Sequence, residues 1–299
     1  MSGSGEQFAS LPSGIDICYE TFGNPDHPPV LLIMGLGAPM NWWSVEFCEQ
    51  LVARNFFVIR YDNRDTGRST KLHQHRVTKL DIIRTSLGRG RAPYSIGDLA
   101  VDAIGLLDHL GIKRAHVVGI SMGGMIGQTL AIDHRERVQS LTSIMSTTGR
   151  RTVGQFHPKL IPMILAPAGR TRESYTERAI RSTQALGSPA YPPDREKALA
   201  RAHETWDRGW SAGGVARHML ATMTQPDRTK RLSEIDVPVT VLHGTNDPLV
   251  HRSGGRATAR AIRGAEHLEI EGMGHDLPPE LYDTVIDAIA KTAARATAH

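Results

Sequence analysis

The stretch Gly119-Ile120-Ser121-Met122-Gly123 decides the fold of this 299-residue chain. It follows a short apolar run at 116–118, which predicts a buried strand, and it precedes a helix-like run at 125–131. A serine at a tight turn between a strand and a helix is strained and exposed, and the small glycines let the two elements approach closely. Such a serine can attack a carbonyl carbon while the helix N-terminus favours the negative charge that develops.

Short apolar runs bounded by Gly, Pro or Asn recur on both sides of this turn. They lie at 30–34, 56–60, 116–119, 141–145 and 237–242, and a further short strand is predicted at 267–270. Runs of this kind suit buried strands of a mostly parallel sheet, and the helical spacing of apolar residues at 96–110 predicts a helix between two of them. Alternating strands and helices indicate an α/β fold with a twisted sheet flanked by helices.

The alternation stops at 149–231, where the pattern is helical and contains several prolines but no convincing strand. We interpret this segment as a helical cap inserted into the sheet domain. The predicted organisation is therefore a core at 1–148, a cap at 149–231 and the second part of the core at 232–299. A last helix is predicted from about residue 279 to residue 294.

A serine hydroxyl is a weak nucleophile near neutral pH, so it needs a histidine base and a carboxylate that orients the base. The strand, GxSxG turn and helix resemble those of α/β-hydrolases, and that resemblance implies the chain order serine, then acid, then histidine. Asp247 directly follows the predicted strand at 237–242, and His275 lies between the predicted strand at 267–270 and the last helix. The sequence thus predicts Ser121, Asp247 and His275 as the catalytic residues.

The other histidines suit this role poorly. His116 lies within a predicted strand, His243 ends one and His218 belongs to the cap, so all three are interpreted as packing or surface residues. His73 and His75 have no accompanying ligand cluster, and no metal site is predicted.

An oxyanion hole needs two backbone N–H groups, one after the nucleophile and one from an early loop. Met122 supplies the first. Leu36, in the loop after the predicted strand at 30–34, is the candidate for the second, since Gly35 and Gly37 allow a close backbone approach. The two glycines lack the third glycine of a dinucleotide-binding loop, so an NAD site is not predicted.

Together with the segments at 30–43 and 61–69, these motifs resemble the α/β-hydrolase superfamily. More narrowly, they are similar to the branch of aclacinomycin methylesterases and actinobacterial lipases and esterases. The resemblance spans the core, while the cap matches only in length and helical character. It implies ester hydrolysis without a cofactor, carried out by Ser121, Asp247 and His275 with the N–H groups of Leu36 and Met122.

Two positions depart from the pattern of many relatives. Met34 stands where they have a histidine that often braces the oxyanion loop, and Asp65 replaces a glycine in the loop at 62–69. The first change leaves the backbone donor in place, and the second suggests the methylesterase-like branch. Relatives that act as dehalogenases or epoxide hydrolases need a carboxylate nucleophile, which Ser121 does not provide.

Composition is that of an ordinary globular enzyme. The net charge of +4 is modest, and no nucleic-acid motif accompanies it. Cys18 and Cys48 lack metal or redox spacing, and neither a signal peptide nor a stretch long enough to span a membrane is present. We expect a cytoplasmic protein. The basic segment at 71–91 is interpreted as a solvated loop with a short helix, while contact with a membrane surface stays open.

Apolar side chains near the elbow and in the cap form a candidate substrate pocket. They are Trp42, Trp43, Met125, Met219 and Met273. The predicted substrate is a small-molecule ester with a short to medium acyl group or a methyl ester. Lipid esters cleaved by a phospholipase, thioesters, perhydrolysis (a cofactor-free haloperoxidase), C–C hydrolysis and a non-catalytic binding module stay open as alternatives, as does a monomeric or dimeric state.

Overall fold

A computed structural model describes residues 3–166, 169 and 171–297 of the chain. At its centre lies an eight-stranded sheet with the strand order β1-β2-β4-β3-β5-β6-β7-β8. The strands are β1 (Gln7–Ser10), β2 (Asp16–Phe22), β3 (Pro29–Ile33), β4 (Phe57–Tyr61), β5 (Ala115–Ile120), β6 (Val138–Ile144), β7 (Val239–Gly244) and β8 (Glu266–Ile270). The pairs β1–β2 and β2–β4 are antiparallel, and all neighbours from β4 to β8 are parallel.

The predicted fold class is confirmed, because the six predicted strands are the six parallel strands, with ends shifted by one to three residues. The antiparallel strands β1 and β2 were not predicted. β1 is short and mostly exposed at the edge of the sheet, and β2 mixes buried apolar residues with Asp16 and Glu20. Neither strand therefore forms a short apolar run of the kind that predicts β3 to β7.

The structure has helices on both faces of this sheet and in the inserted segment. They are α1 (Val45–Ala53), α2 (Lys79–Ser86), α3 (Ile96–His109), α4 (Met122–Asp133), α5 (Ile161–Leu165), α6 (Arg172–Leu186), α7 (Arg195–Asp207), α8 (Ala212–Thr224), α9 (Ser253–Ala261) and α10 (Tyr282–Thr297). α3 begins at a capping box in which Ser95 and Asp98 satisfy each other's backbone N–H groups. The predicted helix at 96–110 is thereby confirmed.

Two apolar clusters, one on each face of the sheet, form the core. On β3, Leu31 and Ile33 join the cluster with α3 and α4, while Val30 and Leu32 join the cluster with α1 and α10. Successive residues of a strand point to opposite faces, so a strand covered on both faces is apolar throughout. Because β3, β5, β6, β7 and β8 are parallel, the loops that follow them all emerge at one edge of the sheet.

Helices α5 to α8 lie between β6 and β7, and the described part of 149–231 contains no strand. Within the basic segment, residues 79–86 form α2, flanked by loops. Leu80, Ile83 and Leu87 are 52%, 55% and 68% exposed and follow one side of this helix. None of the helices in the described residues is long and apolar enough to span a membrane.

Candidate active site

Ser121 lies at the turn between β5 and α4, with φ 55° and ψ −115°. A methyl group on Gly119 would be 2.1 Å from the carbonyl oxygen of Gly123, and one on Gly123 would be 2.1 Å from that of Ile33. Both positions therefore require glycine. The strained backbone at Ser121 presents its hydroxyl at the end of the strand, as a nucleophile elbow does.

His275 reaches Ser121 from the loop between β8 and α10. Its Nε2 lies 3.1 Å from Ser121 Oγ, and its Nδ1 lies 2.7 Å from Asp247 Oδ2. A neutral imidazole that donates from Nδ1 to the carboxylate keeps its Nε2 lone pair free to accept the serine proton. The structure thus brings the three sequence-predicted residues into one hydrogen-bonded chain.

Asp247 follows β7 and is only 5% exposed. Its Oδ1 accepts the backbone N–H groups of Leu249 at 2.9 Å and of Val250 at 2.8 Å. These bonds fix the carboxylate, so that Oδ2 faces His275. One oxygen is held by the backbone and the other is left for the imidazole.

Burial of Asp247 opposes its ionisation, but the neighbouring His275 and hydrogen bonds from His243 and His275 outweigh burial and lower its pKa to about 2. His243 is fully buried, and its Nε2 lies 2.7 Å from the Val250 carbonyl oxygen and 3.4 Å from Asp247 Oδ2. The sequence interpretation of His243 as a packing or surface residue did not foresee this position against the carboxylate. Asp247 therefore stays ionised throughout the neutral range.

The lowered pKa of Asp247 predicts a pH-dependent contribution to stability. A folded pKa of about 2, against an ordinary value of 3.8, gives a contribution that is present above pH 4 and is lost as the pH falls towards 2. We expect the difference in free energy of unfolding between wild type and Asp247→Asn to shrink by about 1 kcal/mol from pH 6 to pH 3. Urea unfolding of both proteins at each pH measures this difference. A difference that does not change with pH would contradict the lowered pKa of Asp247.

The inserted helical segment holds the loop that carries His275. The backbone N–H of His275 donates to the carbonyl oxygen of Leu186, at the end of α6, across 2.7 Å. The Ser188 hydroxyl accepts the Gly274 N–H at 2.8 Å and donates to Asp276 Oδ1 at 2.5 Å. Ser188 is 1% exposed, so these bonds are shielded from water. The position of His275 therefore depends on the end of α6.

The predicted oxyanion loop follows β3. A methyl group on Gly35 would lie 3.3 Å from Ser121 Cβ, so the loop backbone passes directly beside the serine. Leu36 is the next residue of this loop. Met122 is the first residue of α4, where a backbone N–H has no acceptor within the helix. Both predicted donors therefore belong to segments that adjoin Ser121.

The Gly37 N–H in this loop donates to Nδ1 of His218 on α8 across 3.1 Å. His218 Nε2 lies 2.8 Å from the carbonyl oxygen of Arg64, and the imidazole is fully buried. Sequence interpretation of His218 as a packing or surface residue missed this contact. The sequence feature that could have pointed to this contact is Met34. Many relatives have a histidine at this position that supports the oxyanion loop, so the loop needs another support here.

Asp65, the second departure from the family pattern, binds the same cap helix. Its carboxylate receives two hydrogen bonds from the Arg217 guanidinium, at 2.6 and 2.7 Å, and one from the Tyr94 hydroxyl at 2.7 Å. Asp65 and Arg217 are each 2% exposed. Burial opposes ionisation of Asp65, but these partners lower its pKa below the ordinary value. The carboxylate thus ties the loop after β4 to α8.

The five predicted pocket residues lie in different surroundings. Trp43 and Met273 are buried in the core cluster with α1 and α10, and Met125 is buried in the other cluster. Trp42 is 38% exposed and donates from Nε1 to the Thr205 hydroxyl at 3.0 Å, and Met219 is half-buried on α8. The pocket stays a prediction, and Trp42 and Met219 are the members with exposed surface.

A groove of about 530 Å³ opens beside Asp247, between the start of the inserted segment and the loop after β7. Neither Ser121 nor His275 lines it, so we do not interpret it as the acyl pocket. Among the described residues, no group of three or more His, Cys, Asp or Glu side chains is placed to hold a metal ion.

Comparison with known proteins agrees with this fold. The family model described as alpha/beta hydrolase fold matches residues 28–280. A rhodomycin D methylesterase of Streptomyces peucetius is 32% identical over 313 aligned positions, covering 95% of this chain and 96% of that protein. The 3-oxoadipate enol-lactonase 2 of Acinetobacter baylyi is 27% identical over 277 positions, covering 91% and 92%.

Among solved structures, the enol-lactonase from Burkholderia xenovorans LB400 superposes with a TM-score of 0.73 at 24% identity, covering 98% of this chain and 100% of that one. A thermophilic esterase from Thermogutta terrifontis gives a TM-score of 0.70 at 21% identity, covering 98% and 99%. At these identities the likeness is one of fold. The chain belongs to the α/β-hydrolase family. It is a hydrolase, and the resemblance to the methylesterase branch is confirmed.

Proposed function

We propose that this hydrolase cleaves carboxylic esters through an acyl-enzyme on Ser121. The observation that carries the proposal is the continuous chain of hydrogen bonds from Ser121 Oγ through His275 to Asp247. The methylesterase and enol-lactonase names of the relatives support an ester as the substrate. No resident cofactor takes part in this reaction.

In the first half-reaction, Ser121 Oγ attacks the ester carbonyl carbon while His275 Nε2 takes its proton. The carbonyl oxygen becomes an oxyanion, which the N–H groups of Leu36 and Met122 stabilise. As the tetrahedral intermediate collapses, the C–O bond to the alcohol breaks and His275 returns the proton to the leaving oxygen. Water then repeats the sequence on the acyl-enzyme and releases the acid.

Asp247 keeps the same contact through both halves. Its carboxylate accepts the Nδ1–H of His275, which orients the ring and stabilises the imidazolium that forms during proton transfer. With a pKa of about 2, the carboxylate is charged whenever His275 is able to act as a base. Proton movement is therefore confined to the serine, the histidine and the substrate.

The segment 149–231 acts in this proposal as a cap that covers the site, with boundaries as predicted from the sequence. Met219 of this segment and Trp42 of the core are the proposed contacts with the acyl or alcohol part of the ester. A short to medium acyl ester or a methyl ester is the proposed substrate class, since the rhodomycin D methylesterases are similar along nearly the whole chain.

Lipid esters are the second candidate class, and a separate observation favours them. Leu80, Ile83 and Leu87 form an exposed apolar stripe on and just after α2, with Lys79 and Arg84 beside it. A stripe of this kind suits the surface of an anionic lipid aggregate. Thioester cleavage, perhydrolysis and C–C hydrolysis would use Ser121, His275 and Asp247 as well. These reactions differ from ester hydrolysis in the substrate that the cap allows to enter the site.

A p-nitrophenyl ester series from acetate to palmitate tests the substrate class. We expect kcat/KM to be highest among the short and medium chains and at least about tenfold lower for palmitate, since chain length is discriminated by binding in the acyl pocket. Palmitate presented in anionic vesicles is the matched control. If the enzyme prefers palmitate in the vesicles, the substrate class is a lipid ester and not a small ester. If the enzyme forms peracids efficiently but hydrolyses none of the esters, the ester-hydrolase proposal is contradicted.

A further inference from the structure

The contact between cap helix α8 and the oxyanion loop points to a function for His218. We propose that His218 is a positioning residue, which holds the Gly37 N–H and so fixes the loop that presents the Leu36 N–H to the substrate. This inference rests on the proposed function, because it assigns the support of one donor in that reaction.

The geometry assigns one tautomer to His218. Nδ1 accepts the Gly37 N–H at 3.1 Å, so it carries a lone pair, and Nε2 carries the proton that it donates to the Arg64 carbonyl oxygen at 2.8 Å. A neutral imidazole satisfies both contacts, whereas a doubly protonated ring would turn an N–H towards the Gly37 N–H. Burial lowers the pKa of His218 to about 4, which keeps the ring neutral.

Several other hydrogen bonds hold this loop. The Ala38 N–H donates to the Gly35 carbonyl oxygen at 3.3 Å, and the Met40 N–H donates to Asp62 Oδ1 at 2.7 Å. Asn63 Nδ2 donates to the Met34 carbonyl oxygen at 3.2 Å, which holds the beginning of the loop. Beyond Leu36, the Gly37–His218 bond holds the other side. A methyl group on Gly37 would be 2.7 Å from Val215 Cγ2, so α8 packs directly on the loop. Leu36 therefore lies in a turn that is held from the core and, at Gly37, from α8.

His218 is itself held rigidly. The neighbouring Arg217 makes two hydrogen bonds with Asp65, and the Asp65 carboxylate also accepts a hydrogen bond from Tyr94. The Tyr94 ring in turn packs edge-on against the His218 imidazole, with 6.1 Å between the ring centroids, and this packing limits the rotamers of His218. The cap thereby supplies the brace that Met34 cannot provide, and it does so from a position far along the chain.

Two substitutions separate the two nitrogens of His218. In His218→Asn the amide oxygen replaces Nδ1 and still accepts the Gly37 N–H. In His218→Gln the amide nitrogen replaces Nε2 and keeps only the Arg64 contact. We expect kcat for a p-nitrophenyl ester to fall about 10- to 100-fold in the Gln variant, with KM within about twofold, because a displaced donor costs part of what a deleted one does. The Asn variant should stay within about threefold of wild type.

Affinity for a boronic acid, which forms a tetrahedral adduct on Ser121, provides a second readout. It should fall in the Gln variant by the same factor as kcat, because both depend on the oxyanion donors. Thermal unfolding of both variants is measured alongside. Equal losses in the Asn and Gln variants that follow their stability, or no loss in either, would overturn the role of His218 and leave the ester-hydrolase proposal intact.

A wild-type protein that hydrolyses no ester would overturn both the ester-hydrolase proposal and the role of His218. Failure of the His218 proposal alone leaves the wild type active, so the two failures can be distinguished. If neither variant folds, ¹⁵N NMR of the assigned His218 ring in the wild type decides. We expect the Nε2–H tautomer, with an Nδ1 resonance that moves when the boronic acid binds. An Nδ1–H tautomer, or a resonance unchanged by the adduct, would contradict the inference.

Discussion

Replacing Ser121 with alanine is expected to lower kcat about a millionfold, as loss of the nucleophile does in a well-studied serine protease. The variant keeps the elbow, the oxyanion donors and the substrate contacts, but no atom is left to form the acyl-enzyme. The measurement is hydrolysis of the best p-nitrophenyl ester, with enzyme concentrations high enough to detect the residual rate. Binding of the ester should be retained.

Ser146→Ala is the matched control for this loss. Ser146 lies in the same region, is 1% exposed, and its hydroxyl donates to the Ser121 carbonyl oxygen at 2.8 Å. Its removal deletes one hydroxyl beside the elbow without touching Ser121 Oγ. We expect less than about a tenfold decrease in kcat, since one backbone contact is lost. Equal activities of Ser121→Ala and wild type would contradict the covalent mechanism.

Asp247→Asn is expected to lower kcat about ten-thousandfold at neutral pH, because the wrong histidine tautomer is then favoured. The Leu249 and Val250 N–H groups require an oxygen at the Oδ1 position, so they hold the new amide with its NH₂ group towards His275. That NH₂ donates to Nδ1, and the ring proton moves to Nε2. His275 then faces Ser121 with an N–H and cannot accept the serine proton.

Asp276→Asn is the control for a general loss of negative charge. Asp276 is adjacent to His275 in the chain, but its carboxylate accepts a hydrogen bond from Ser188 and does not contact the imidazole nitrogens. We expect a much smaller loss of kcat than in Asp247→Asn. Comparable losses in the two variants would show that charge near His275, and not the tautomer, determines the rate.

The sequence predicted those parts of the fold that depend on local patterns. Every residue of β4, β5 and β7 is buried, and the two glycines around Ser121 are required by backbone contacts of 2.1 Å. β1 and β2 escaped prediction because antiparallel strands near an edge carry polar residues on one face. The elements that could be predicted best are thus those at which burial restricts the residue type most strongly.

In the candidate site, too, the residues marked by local patterns could be predicted and the long-range contacts could not. Ser121, Asp247 and His275 each lie at a strand end that the pattern locates, and their chain order identifies their partners. The bond between Gly37 and His218 joins residues 181 positions apart, and the bond between Ser188 and Asp276 joins residues 88 apart. These contacts depend on how the inserted helical segment packs against the core, which no local periodicity encodes.

Labelling with a fluorophosphonate, followed by peptide mass spectrometry, tests the central claim most directly. The account predicts one phosphonyl group per chain, attached to Ser121, with loss of ester hydrolysis in proportion to labelling. His275→Ala should label far more slowly, because the serine then has no base. A label on another residue, or a protein that stays unlabelled while it hydrolyses esters, would contradict the account.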